Sequence, residues 1–154
     1  MQNKFLAAFR RPAVVGLVVG TAVTGSSLVG QAQDKPAGTT FSKPGLIQVL
    51  IKPDKTAAYE AVMAKLKEAL AKTDKPELKQ AAMGWKVYKA DTPANNNALY
   101  IHVIDPPSTT ADYGVMKILY DAFPMEALEI FNQYKEAFGG QSIVPMTLVV
   151  DLGK

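Results

Sequence analysis

His102 is the one side chain in this 154-residue chain whose unperturbed pKa, near 6.5, suits proton transfer at neutral pH. It stands in the run LYIHVI, next to Tyr100, and a hairpin return places Tyr88 on the arm opposite. A general base flanked by phenols that can donate to a phenolic or carbonyl oxygen is the chemistry these types allow, so His102, Tyr100 and Tyr88 are the catalytic candidates. The competing reading makes His102 a hydrogen-bonded residue of an interface and the tyrosines a cross-strand packing pair. Gln48, Leu50, Lys52, Lys86 and Ile104 are the ligand-binding candidates, because strand alternation puts them on the same face as His102. One histidine with scattered carboxylates offers no metal-ligand spacing. The chain has no cysteine, which removes thiolate metal sites, cysteine nucleophiles and disulfides. Neither a Ser-His-acid order nor a phosphate-cradling glycine loop occurs. No cofactor and no metal are expected.

The elements that must position these residues follow from periodicity. The stretch Gly84 to Asp105, GWKVYKADTPANNNALYIHVID, reads as two strands joined by a loop. Aromatic and β-branched residues alternate in both arms, and Asp91, Thr92, Pro93 and Asn95 to Asn97 are turn formers. Leu46 to Lys52 alternates as a first strand and stops at Pro53. A helix then follows, capped at Asp54 or Thr56, with Tyr59, Val62, Met63, Leu66 and Leu70 on one stripe. Pro76 opens a short helix that ends at Gly84. Beyond the hairpin, Thr109 and Asp112 are spaced as a capping box before Tyr113, Met116, Leu119 and Tyr120. Pro124 breaks this second helical segment, which resumes from Met125 to Phe138. Gly139 and Gly140 stop it, and Ile143 to Leu152 is the last strand.

Lys4, Arg10 and Arg11 precede an apolar run from Ala13 to about Val23, followed by small residues up to Ala32. That pattern predicts a secretory signal over residues 1–32, a flexible leader over 33–45 and a folded domain over 46–154. The expected location is exported, periplasmic or extracellular, with no membrane attachment once the signal is removed. The full chain holds 17 Lys+Arg against 14 Asp+Glu; the signal carries three of the basic residues and none of the acidic ones, leaving 14 of each. Without net charge or arginine, the remainder lacks the electrostatic footprint of a nucleic-acid binder.

The β-α-β-β-α-β order predicts an α+β, ferredoxin-like sandwich. Its four-stranded antiparallel sheet would carry strands one and three in the middle and helices on one face. The aliphatic sets Ile47, Val49, Ile51 and Leu99, Ile101, Val103 are expected under the helices. The open face then takes Gln48, Leu50, Lys52, Lys86, Tyr88, Tyr100, His102 and Ile104, too apolar to be left in water. A homodimer closing that face over a small-molecule site accounts for it.

The strand order, the Gly84-Trp85-x-Val87-Tyr88 opening of the second strand and the broken helix pair after the third resemble the dimeric α/β-barrel superfamily. That group includes the antibiotic-biosynthesis monooxygenase-like proteins, and the likeness spans Leu46 to Leu152. The resemblance implies homodimers with apposed sheet faces. Its activities range from cofactor-free oxygenation of phenols or quinols to haem degradation or plain ligand binding. Haem-using members place a ligating histidine on a helix, whereas His102 lies on a strand, so no catalytic residue carries over. The function expected is binding of a small, partly aromatic ligand on the open face, with a cofactor-independent monooxygenase or isomerase as the alternative.

Overall fold

The computed structural model describes residues 38–153; the expected export signal lies outside the described residues. Strand β1 (Gly45–Ile51) leads through a short 3-10 turn into helix α1 (Thr56–Lys72) and then α2 (Pro76–Gly84). Strands β2 (Trp85–Lys89) and β3 (Ala98–Ile104) form the hairpin, followed by α3 (Val115–Ala122), α4 (Ala127–Ala137) and β4 (Phe138–Pro145). All pairings are antiparallel, in the order β2-β3-β1-β4, so β1 and β3 occupy the middle. The result is an α+β domain with one open sheet and four helices among the described residues.

Local chemistry explains most boundaries. Asn95 and Asn96 take φ of 52° and 59°, which asparagine tolerates, and this lets Ala94 and Asn97 exchange two backbone hydrogen bonds at 2.9 Å to close the hairpin. Pro76 begins α2, where its missing N–H costs nothing. Neither Asp54 nor Thr56 caps α1 through its side chain. The expected capping box at Thr109 and Asp112 does not form either, and α3 starts later, at Val115. Asp112 instead accepts from the Gly114 amide at 2.8 Å and from the Thr39 amide at 2.7 Å. Thr39 and Phe41, expected within a flexible leader, are thus tied down, and Phe41 is buried edge-on against Tyr113.

The last strand starts five residues earlier than predicted. Gly139 and Gly140 do not stop α4 by leaving the chain in a loop; they form a bulge, because Leu50 pairs with Gly140 while Ile51 pairs with Phe138. Gly140 adopts φ +153°, a conformation open to glycine. Pro145 ends β4, the Met146 amide still donates to the Pro44 carbonyl at 2.7 Å, and Leu148, Val149, Val150 and Leu152 beyond it are exposed.

Register decides the faces. Ile47 pairs with His102, Val49 with Tyr100 and Gly45 with Ile104, so these residues share one side of the sheet. Ile47, Val49, Ile51, Tyr100, His102 and Ile104 are buried beneath Tyr59, Val62 and Leu66 of α1, Leu119 of α3 and Ile130 of α4. Burial of each large aliphatic side chain contributes about 1.5–3 kcal/mol. The expected face assignment of β3 is therefore reversed: Tyr100, His102 and Ile104 lie under the helices, while Leu99, Ile101 and Val103 point the other way. Alternation separates a strand into two sets, but β3 is apolar enough on both sides that composition does not say which set faces the helices.

Candidate functional site

Between the sheet and the second pair of helices lies a cavity of ≈ 210 Å³. Ile47 and Val49 of β1 and His102 of β3 form its floor, Val115 and Met116 of α3 its apolar wall, and Tyr134 of α4, Gln141 of β4, Thr39 and Tyr113 its polar fringe. Each element arrives for a separate reason. The β1–β3 register sets His102 beside Ile47. Asp112 holds α3 to the Thr39 segment, and its carboxylate also pairs with Lys117. Burial pushes the Asp112 carboxyl up, but the bonds from Lys117, Gly114 and Thr39 together outweigh it and hold the group below its usual range.

His102 is 1% exposed and uses both ring nitrogens. The Trp85 indole N–H donates to Nδ1 at 3.1 Å, and Nε2 lies 2.7 Å from the Tyr59 hydroxyl. An indole can only donate, so Nδ1 accepts and the single proton of the neutral ring sits on Nε2, where it is donated to the Tyr59 oxygen. Burial lowers the His102 pKa to about 4, so the ring is neutral across the physiological range. The Tyr59 hydroxyl is pushed far up, first by burial and then by the neighbouring Tyr134 and Tyr100, and burial also raises Tyr134. Tyr59 lies 4.6 Å from Tyr100 and 6.1 Å from Tyr134, centroid to centroid. The cavity is therefore lined by aliphatic carbon and uncharged hydrogen-bonding groups.

The residues singled out from sequence do not converge. Tyr100 shares the covered face with His102, but its hydroxyl leaves the cavity and donates to Glu60 Oε1 at 2.5 Å. Ile104 is fully buried core. Tyr88 and Lys86 lie on the open face opposite Ile101 and Val103, and Tyr88 is 53% exposed. Gln48 and Leu50 are on that face too, Gln48 accepting from Ser142 Oγ at 3.2 Å. Lys52 follows the end of β1 and donates to the Glu136 carbonyl at 2.8 Å. The proposed trio of His102, Tyr100 and Tyr88 is thus split between two faces of the sheet.

Tyr59, Trp85, Tyr113 and Tyr134 were legible only as core. The signal that sets them apart is the hydroxyl or indole N–H, which a buried aromatic must satisfy. Among the described residues no group of three or more His, Cys, Asp or Glu could hold a metal ion, and no helix is long and apolar enough to cross a membrane.

Comparison with protein-family models, with curated proteins and with solved structures gives no match.

Proposed function

We propose that this chain is an exported, homodimeric binding protein of the ferredoxin-like, dimeric α/β-barrel type that holds a small, partly aromatic ligand. The cavity over His102 is the binding site in this reading, in place of the open face. The observation that carries it is a small, half-open recess walled by Ile47, Val49, Val115 and Met116 and fringed by uncharged donors and acceptors, the mix of apolar wall and few polar groups that small-molecule sites use. Binding is preferred to turnover because His102 has no spare lone pair: Nδ1 is taken by Trp85 and Nε2 carries the proton. A monooxygenase or isomerase mechanism with His102 as base would first have to break one of these bonds.

The central order of β1 and β3 supports the ferredoxin-like reading. Dimerisation is supported by the open face, where Leu46, Leu50, Leu99, Ile101, Val103 and Val144 adjoin through the strand register with no helix of the described residues over them. Two such faces brought together would bury on the order of 1,200–2,000 Å².

Calorimetric titration with hydroquinone, catechol and 4-hydroxyacetophenone tests the site. Saturable binding is expected for at least one probe, and Val115→Phe, which fills the cavity, should abolish it. Binding unaffected by Val115→Phe would remove the cavity from consideration. Light scattering should give a dimer that Ile101→Asp converts to a monomer; a monomeric parent chain would end the homodimer reading.

A further inference from the structure

On the opposite side of α1 from the cavity, the helix shows Met63, Leu66, Lys67, Leu70 and Ala71, a stripe at helical spacing. The edge strand β2 turns Trp85 and Val87 toward it, on the helix side of the sheet. No helix of the described residues covers that margin, so a groove of ≈ 480 Å³ remains between α1, α2 and β2. Met63, Leu70 and Trp85 are consequently only partly buried, and Val87 is 39% exposed. This volume falls within the ~300–1,000 Å³ of small-molecule sites, and the groove is larger than the His102 cavity.

Its chemistry is narrow. The walls are hydrocarbon and thioether, and the one indole N–H is already spent on His102. Among the described residues that line it, the only charged one is Lys67. Its neighbours on α1 are matched, Lys65 with Glu126 at 2.8 Å and Lys72 with Glu68 at 2.6 Å. Lys67 has no ion pair or hydrogen bond among the described residues. An unmatched ammonium at the lip of an apolar trough complements a molecule with a hydrocarbon body and an anionic head.

We propose that this groove binds a free alkyl carboxylate, its chain laid along Met63, Leu66, Leu70 and Trp85 and its carboxylate at Lys67. The site is separate from the His102 cavity and does not depend on a ligand there.

Trp85 is the only tryptophan in the chain and lines the groove, so its fluorescence reports on an occupant there, and Val115→Phe separates that signal from one transmitted through its hydrogen bond to His102. Octanoate, decanoate and dodecanoate are titrated below their micellar concentrations, with decanol and decyltrimethylammonium as head-group controls. Saturable changes at Trp85 are expected, with affinity rising about two- to fourfold per added methylene, the upper figure corresponding to ~0.8 kcal/mol of full burial. Decanoate should bind better than decanol, and Lys67→Ala should erase that preference while keeping the chain-length dependence. Ala71→Glu changes an exposed helix position and sets a carboxylate on the lip; decanoate binding should fall at least about tenfold. Val115→Phe should leave decanoate binding unchanged.

Any of four results overturns the proposal. These are no saturable response, equal affinity for all three head groups, binding insensitive to Ala71→Glu, or binding lost in Val115→Phe, which would put decanoate in the cavity. Acrylamide quenching of Trp85 that rises on dilution would give the groove to a second copy of the chain and overturn it too.

Discussion

Lowering the pH should destabilise this protein through His102, and replacing that residue should remove the effect. In the folded chain the imidazole is buried with both nitrogens bonded and its pKa is lowered to about 4. In the unfolded chain it titrates near ~6.5. The unfolded state therefore binds more protons between these two values. Stability is complete above about pH 6.5, falls as the pH drops, and reaches its lower level near about pH 4. Each pH unit within that window costs up to ~1.4 kcal/mol, so the loss by pH 4.5 is about 2–3 kcal/mol. Burial is the cause, so the pH slope belongs to the ring itself and not to its partners.

Urea unfolding at fixed protein concentration, followed by Trp85 fluorescence from pH 7.5 to 4.5, measures this. His102→Gln keeps an acceptor and a donor but cannot be protonated. It should cost about 1–3 kcal/mol at pH 7 through imperfect hydrogen bonds and then lose less stability on acidification. Carboxylates such as Asp112, whose pKa is also lowered, weaken both proteins in acid and cancel in the difference. Tyr59→Phe removes the acceptor for the Nε2 proton. It should cost a similar ~1–3 kcal/mol at pH 7 while retaining the parental acid slope. Parallel pH profiles for the parent and His102→Gln would refute the reasoning, because the ring would then be solvated or already charged.

Two further outcomes test the frame around the cavity. Asp112→Asn keeps one acceptor but loses the charge opposite Lys117, so it should destabilise the fold by about 1–3 kcal/mol and speed hydrogen exchange at the Thr39 amide, whose partner is that carboxylate. Gly84→Ala should cost about 1–3 kcal/mol in urea unfolding, because its Cβ would run into the backbone carbonyl of Pro106 while the Gly84 carbonyl is held by the Asp105 amide at 2.9 Å.

The hairpin, the α1 stripe, the proline start of α2 and the central placement of β1 and β3 could be read from the chain. Each depends on neighbours in sequence or on a general rule of connection. Asn95 and Asn96 announce a turn because their own side chains tolerate positive φ. The buried stripe of α1 needs only helical spacing, although Met63 and Leu70 end half-buried because no described residue roofs the margin at β2. The glycine pair after α4 shows where local reading stops. Gly139 and Gly140 signal a break equally well as a loop or as a bulge, and only the partner strand β1 distinguishes the two.

The candidate site was decided by tertiary structure. Strand alternation sorted β3 into Leu99, Ile101, Val103 and Tyr100, His102, Ile104 but could not orient the sets, since either face could bury aliphatic carbon. What turned His102 inward is the register that pairs it with Ile47, together with two groups remote in sequence, the Tyr59 hydroxyl and the Trp85 indole, that satisfy its nitrogens away from water. A buried imidazole is tolerable only when such partners are in place, and no periodicity in the chain encodes their meeting.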